Sequence, residues 1–328
     1  MLVNFQSFVV LVLISLLTAC ASSPEPGSQP TRSSGGPSED AFLGRWDVTV
    51  KSPSTQYPSW FELSKEDGQL KGRLVGRFGS ARPIATVRAT GGELVLSLPK
   101  QYEKRSDDLS FKGRLVGDRL EGSTTAEDGS PLSWVAVRAP DLTRQGTPEW
   151  GDSISLFNER NLEGWRPRDP GEPNGWSVKN GALVNATPSC DLITEKTFND
   201  FKLHLEFKVP EKGNSGIYLR GRYEVQIDDS LGKEPDSHAL GGVYGFLTPT
   251  SIPARKAGEW QTYDITLIGR RVTVVLNGTT VLDDAEIPGI TGGALDSEEG
   301  APGPIFLQGD HTAVSYRNIV ITPAKQTP

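Results

Sequence analysis

From Asn214 to Ser230 the chain reads NSGIYLRGRYEVQIDDS. Taken two residues at a time, Ile217, Leu219, Tyr223, Val225 and Ile227 fall on one set. Tyr218, Arg220, Arg222, Glu224, Gln226 and Asp228 fall on the other. Alternation with period two predicts a strand with one buried face. The same period recurs along most of the chain. FKLHLEFKV directs Phe201, Leu203, Leu205, Phe207 and Val209 inward and leaves His204 and Glu206 on the opposite face. VTVVLNGTTVL is two alternating runs joined at Asn277-Gly278, a strong signal for a tight hairpin turn. Between residues 41 and 139, RWDVTVK, WFELSK, GQLKGRLVG, IATVRA, ELVLSL, LSFKGRLVG, DRLEGSTT and SWVAVR are each strand-like, with Gly and Asp at most of the turns.

Long helical periodicity is absent, so the chain is expected to be all-β. Residues 41–139 predict a small antiparallel barrel or sandwich. Its weak internal repeat, LKGRLVG at Leu70–Gly76 and FKGRLVG at Phe111–Gly117, points to duplicated hairpins. Gly44-x-Trp46 resembles the opening of lipocalin-like barrels. Arg73, Arg77, Arg88 and Arg114 read as solvent-facing strand positions, and the segment as a support or binding accessory. DLTRQGTPEW, Asp141 to Trp150, is polar with a Pro, so residues 140–149 are expected to be a linker and 150–324 a two-sheet sandwich.

Composition sharpens this picture in three places. The 328 residues include 36 Gly and 24 Pro, which suits a turn-rich β protein. A net charge of −7 without a basic stripe argues against a nucleic-acid partner. The first 20 residues carry an apolar run, Phe8–Leu17, too short for a mature membrane-spanning helix. It reads as an export signal, and it ends in Leu17-Thr18-Ala19-Cys20, which resembles the bacterial lipobox. Cys20 is therefore the expected lipidation site, residues 21–40 a flexible Ser/Pro/Gly tether, and the cell envelope the expected location. Cys190, the other cysteine, reads as a small buried apolar residue.

The ordered blocks SISLFNERNLEGW, GWSVKNGALV, FKLHLEFKV, NSGIYLRGRYEVQIDD, GGVYGF, GEWQTYDITLIGRRVTVVLNGTTVLDD, GPIFLQGDH and VSYRNIVITP resemble the 3-keto-disaccharide hydrolase family from Trp150 to Ala324. The resemblance implies a concanavalin-like jelly-roll. It also implies cleavage of glycosides whose C3 hydroxyl has been oxidised to a ketone. The ketone acidifies the C2 hydrogen, a base removes it, an enolate forms at O3, the aglycone leaves C1, and water adds back. A separate sugar oxidoreductase would make the ketone, since no GxGxxG fingerprint occurs here.

Such a site needs a base near C2, an acid near the glycosidic oxygen and a donor at O3. With the resemblance, the expected assignments are Glu224 as base or acid, Asp228 as its partner or a metal ligand, Arg220 as the oxyanion donor and His311 as a proton shuttle. Asn214, Gln226, Tyr244, Lys256 and Gln308 are candidate sugar contacts, and His238 and Asp310 lie in neighbouring loops. Glu224, Asp228, Asp229 and His311 also offer donors for a divalent ion at the enolate, although no compact spacing such as HExxH occurs and no metal is assigned. Trp260 reads as core. Two other functions fit the same residues: a carbohydrate-binding lipoprotein without turnover, and an ordinary glycosidase pairing Glu224 with Glu206 or Asp228.

Overall fold

The computed structural model describes residues 38–101 and 103–325. The lipobox Cys20, the apolar run before it and most of the tether lie outside the described residues. Apart from a short 3-10 turn at Glu39–Phe42, every regular element described is a strand.

The N-terminal strands are β1 Gly44–Lys51, β2 Gln56–Glu66, β3 Gln69–Val75, β4 Arg82–Pro83, β5 Thr86–Thr90, β6 Glu93–Leu98, β7 Leu109–Val116, β8 Arg119–Thr125 and β9 Pro131–Arg138. They form one antiparallel sheet in the order β4-β3-β2-β1-β9-β8-β7-β6-β5. The two ends of that order are consecutive in the chain. Ile84 N donates to Gly72 O and Ala85 N to Ser97 O, so the segment from β4 to β5 joins β3 to β6 and closes a barrel. Closure removes the sheet edges. Trp46, Phe61, Leu96, Phe111 and Trp134 fill the interior, and Phe42 is buried with them, its carbonyl accepting from the Trp46 indole at 2.9 Å. The repeated glycines have a packing cause. A Cβ on Gly113 would stand 2.5 Å from the Trp134 ring, and one on Gly72 would stand 2.5 Å from the Glu62 carbonyl.

The remaining strands are β10 Ile154–Ser155, β11 Trp165–Pro167, β12 Trp176–Lys179, β13 Ala182–Asn185, β14 Leu192–Thr194, β15 Phe201–Lys208, β16 Asn214–Leu219, β17 Tyr223–Asp228, β18 Gln261–Ile268, β19 Arg271–Leu276, β20 Thr279–Glu286, β21 Phe306–Leu307 and β22 Val314–Pro323. One sheet runs β12-β13-β22-β15-β18-β19-β20, with β10 also on β22; the other runs β11-β14-β21-β16-β17. They pack face to face as a jelly-roll sandwich. Phe201, Leu203, Leu205 and Phe207 of the first sheet share a core with Ile217, Leu219, Val225 and Ile227 of the second, as alternation requires.

Barrel and sandwich are joined by apolar and polar contacts. Trp60 and Val75 of the barrel belong to the sandwich core, and Trp60 meets Phe246 edge to face at 5.4 Å. Thr49 Oγ1 lies 2.7 Å from Ser297 Oγ, and Gly293 N donates to Arg77 O at 3.0 Å. Residues expected to be a polar linker are packed too: Arg270 donates to Pro140 O, and Arg144 pairs with Asp200 at 2.9 Å.

Candidate active site

The segment read as one strand is a hairpin. Leu219 pairs with Tyr223, so Arg220, Gly221 and Arg222 form a three-residue loop. Arg220 and Gly221 take the left-handed backbone conformation, at φ 52° and 69°. An even separation between Leu219 and Tyr223 preserves the phase of the alternation, which explains why the sequence reads as continuous. Facing pairs across the hairpin are Tyr218 with Glu224, Gly216 with Gln226 and Asn214 with Asp228. Their common face lies opposite the core.

A cavity of about 110 Å³ sits on that face. Asn214, Tyr218, Glu224 and Gln226 line it from the hairpin, Gln308, Asp310 and His311 from the segment after β21, and Tyr244 from its own loop. Arg168, Asp191 and Phe306 complete the sandwich side, and Phe78 and Gly79 reach it from the barrel. One water needs roughly 10–15 Å³ on this measure, so the space suits a single monosaccharide.

Glu224 is the central group. It is 4% exposed, and burial pushes its carboxyl up to about 8, opposed by the hydrogen bond from Tyr218 and by His311 nearby. Tyr218 Oη stands 2.9 Å from Glu224 Oε2 and 2.9 Å from Gly292 O. One hydroxyl proton cannot serve both acceptors well. Tyr218 therefore divides its proton between the Glu224 carboxylate and the Gly292 carbonyl, and the share given to Glu224 favours the ionised carboxyl against burial. Room for the carboxyl comes from Gly216, where a Cβ would stand 2.3 Å from Glu224 Oε1. Stacking on Phe306, at 4.2 Å between centroids and 10° between planes, fixes the Tyr218 ring.

His311 lies at the mouth with Nδ1 2.5 Å from Asp310 Oδ1. That hydrogen bond holds the imidazole above its ordinary range against partial desolvation, with the Glu224 and Asp191 carboxylates adding to it. Asp191 is raised by burial, although it accepts from Gly309 N and faces Arg168 at 3.4 Å. Arg168 also donates to Ala294 O and stands over the Phe306 ring. Gln226 Nε2 donates to Asn214 Oδ1 at 3.1 Å, while the side-chain oxygens of Gln226 and Gln308 are buried without a partner. Two unpartnered amide oxygens in one cavity are natural acceptors for sugar hydroxyls.

Several expected site residues stand elsewhere. Arg220 does not line the cavity: its loop turns it to the core side, where it is fully buried, donates to Tyr223 Oη and Gly269 O, and lies over the Tyr223 ring. Arg222 is held by Asp296 and Ala301. Asp228, at the strand end, accepts from Ser230 and Lys233, each at 2.7 Å, and Asp229 accepts from Lys212 N. Neither lines the cavity, nor does exposed Lys256. Among the described residues no group of three or more His, Cys, Asp or Glu side chains converges to hold a metal.

Glu206 bonds to Arg317 and Asn318 on the outer face of the other sheet, remote from Glu224's cavity, and His204 pairs with Asp264 there. His238 meets Tyr244 edge to face at 4.9 Å without lining the cavity. Trp260 is half-buried between Lys208 and Arg317, not core. Cys190 is buried, and burial raises its thiol.

Sequence reasoning passed over Arg168, Asp191, Phe78 and the role of Tyr218. Asp191 carried a local signal, since it immediately precedes the apolar run of the buried strand β14, where an acid is unexpected. Arg168, in the loop RPRDP, carried none.

Residues 152–322, just over half of the chain, match the model of the 3-keto-alpha-glucoside-1,2-lyase-like domain. A curated 3-keto-disaccharide hydrolase of Bacteroides thetaiotaomicron is 23% identical over 137 residues, covering 38% of this chain and 47% of that protein. The chain thus spans about half the length of that curated relative. A solved structure of a candidate glycosyl hydrolase from Parabacteroides distasonis is 29% identical, with TM-score 0.45 over 56% of this chain and 93% of that one. A carbohydrate-binding module of Bacillus subtilis is 13% identical, with TM-score 0.35 over 48% and 95%. The chain belongs to the 3-keto-alpha-glucoside-1,2-lyase-like domain family.

Proposed function

We propose that the protein cleaves 3-keto-glycosides by elimination across C1–C2 followed by hydration. The observation that carries this is the buried Glu224 carboxyl, raised to about 8 and held by Tyr218 in a cavity sized for one sugar ring. A carboxylate with a raised pKa is a stronger base than a solvated one, which suits removal of a hydrogen alpha to a ketone.

In this reading Glu224 takes the C2 proton and the C2–H electrons move into the enolate at O3. Arg168, the cation the cavity holds in place of the expected Arg220, stabilises that charge. The enolate then collapses to the C3 ketone and a new C1=C2 double bond forms as the C1–O bond breaks; the C1–O electron pair leaves with the aglycone oxygen, and the His311 imidazolium protonates that oxygen. Water adds its oxygen to C1 and gives up one proton to the neutral His311 imidazole, while Glu224 returns its proton to C2. The net change is glycoside plus water to 3-keto sugar plus alcohol. Gln226 and Gln308 accept from ring hydroxyls, and Asn214 orients Gln226. The Tyr218–Glu224 arrangement favours this over a binding module without turnover, which has no use for a buried carboxylate of raised basicity.

The ketone would come from a separate sugar oxidoreductase. Export and a lipid on Cys20, anchoring the protein in the cell envelope, complete the proposal. Incorporation of a labelled fatty acid that is lost in Cys20→Ser tests the anchor. For the activity, the purified chain lacking residues 1–20 is offered a 3-keto-glucoside and the same glucoside unoxidised. Turnover of the keto sugar alone is expected; equal turnover of both would replace this reading with ordinary glycoside hydrolysis.

A further inference from the structure

We infer that the barrel is part of the substrate site: its open end forms a subsite for the leaving group, and that group carries an apolar aromatic face. The inference rests on the 3-keto-glycoside reading above.

The catalytic cavity, at about 110 Å³, holds one ring, so an aglycone would extend beyond it. A second cavity of about 500 Å³ lies in the barrel, within the roughly 300–1,000 Å³ typical of ligand pockets. Phe78 lines both. Behind Phe78 the second cavity is walled by Tyr57, Leu109, Phe111 and Leu132, with charged groups around them. The wall is ordered: Arg105 donates to Thr125 Oγ1 at 2.8 Å and to Asp107, and the Arg77 guanidinium lies 5.6 Å from the Tyr57 ring and 5.0 Å from Phe78.

The Phe78 loop is tied to the catalytic groups. Arg77 O accepts from Gly293 N at 3.0 Å. Gly79 is so close to Gly292 that a Cβ on Gly292 would stand 2.2 Å from Gly79 O, and one on Gly245 would stand 2.4 Å from Ser80 Cβ. Gly292 O in turn accepts from Tyr218, the residue bonded to Glu224. Yet the Phe78 ring is 58% exposed, while the backbone on either side is clamped. An exposed aromatic on a fixed loop between a polar one-ring cavity and a larger apolar one is placed to stack on a flat group that spans both. A phenolic or other aryl leaving group meets that description. Glu103, Arg105, Thr125, Glu127 and Asp128 also line this cavity, but the face that a group stacked on Phe78 would lie against, Tyr57, Leu109, Phe111 and Leu132, is apolar and suits an aryl ring better than a second sugar.

The test compares kcat/KM for methyl and 2-naphthyl 3-keto-glucosides in the wild type, Phe78→Ala and Glu127→Trp, the last projecting a ring into the barrel cavity from its exposed rim. In parallel, NMR titration measures 2-naphthol binding to all three. The wild type is expected to prefer the naphthyl substrate at least tenfold beyond the ratio of their uncatalysed rates. Both variants are expected to lower that ratio about tenfold and to weaken naphthol binding. A ratio unaltered in both variants, or naphthol binding unaltered in both, would overturn the subsite. Should the wild type turn over neither keto-glucoside, the catalytic reading fails, and naphthol binding that depends on Phe78 and Glu127 still decides whether the barrel cavity takes an aryl group.

Discussion

Tyr218 and Glu224 face each other across one rung of a β-hairpin, with the phenol oxygen 2.9 Å from the carboxylate oxygen. The pair couples the sheet register to the acid–base state of the cavity. Burial drives the carboxyl up to about 8, and the Tyr218 hydrogen bond moderates the rise. If Glu224 is the base, its ionised form is the active one. The pH profile of kcat/KM should therefore rise through about 8 as pH increases. In Tyr218→Phe the moderating bond is gone, so the rising limb should move to higher pH. A limb that stays in place or moves to lower pH would count against the pairing.

Arg168 and Arg220 separate a catalytic cation from a structural one. Loss of a preorganised donor to a developing oxyanion costs about 10²–10³ in kcat. Arg168→Leu is expected to lose that much while melting close to the wild type. Arg220→Gln removes a fully buried guanidinium that bonds Gly269 O and Tyr223 Oη. It should lower the melting temperature and leave kcat within a few-fold when assayed well below melting. The opposite pattern would restore Arg220 to the site.

Gly216 makes space for the Glu224 carboxyl and does not itself line the cavity. Since an added Cβ would stand 2.3 Å from Glu224 Oε1, Gly216→Ala should displace the carboxyl and cut kcat/KM by at least tenfold in a folded protein. Circular dichroism alongside kinetics checks this, and wild-type rates in the variant would show that the carboxyl has freedom to move.

Asp47 of the barrel is 2% exposed beside Glu299 of the sandwich, and one of its oxygens has no partner. Burial first, and then the Glu299 carboxylate, raise the Asp47 carboxyl from 3.8 to about 9. The folded state thus holds a proton that the unfolded chain has lost. Its contribution to stability is full below pH 3.8 and disappears progressively as pH rises to about 9. Asp47→Asn should flatten the fall of melting temperature over that window. An identical pH dependence in the variant would place the proton on another group.

Much of the fold was legible because its cause is local. Ile217, Leu219, Val225 and Ile227 alternate and are all buried in the sandwich core, and Asn277-Gly278 turns the hairpin between β19 and β20. Site residues on regular strand positions were legible for the same reason, as Glu224, Gln226 and Asn214 show. Arg220 was misplaced because a three-residue loop of even span hides inside a period-two pattern; the Gly221 at its centre was the only mark. Asp228 kept its strand parity, but its carboxylate is drawn off by Ser230 and Lys233, which parity does not report. Arg168 and Phe78 come from separate loops, one of them in the barrel, and no pattern within either segment points to the hairpin residues Asn214 to Gln226, more than 40 residues further on in sequence.

The most direct test of the central claim follows the C2–H bond. Single-turnover rates are measured for a 3-keto-glucoside carrying hydrogen or deuterium at C2, with the wild type and Glu224→Gln. Proton removal by Glu224 requires a several-fold slower rate for the deuterated sugar and a loss of about 10²–10⁴ in the variant. Equal rates for the two sugars, or near-wild-type rates without the carboxylate, would contradict it.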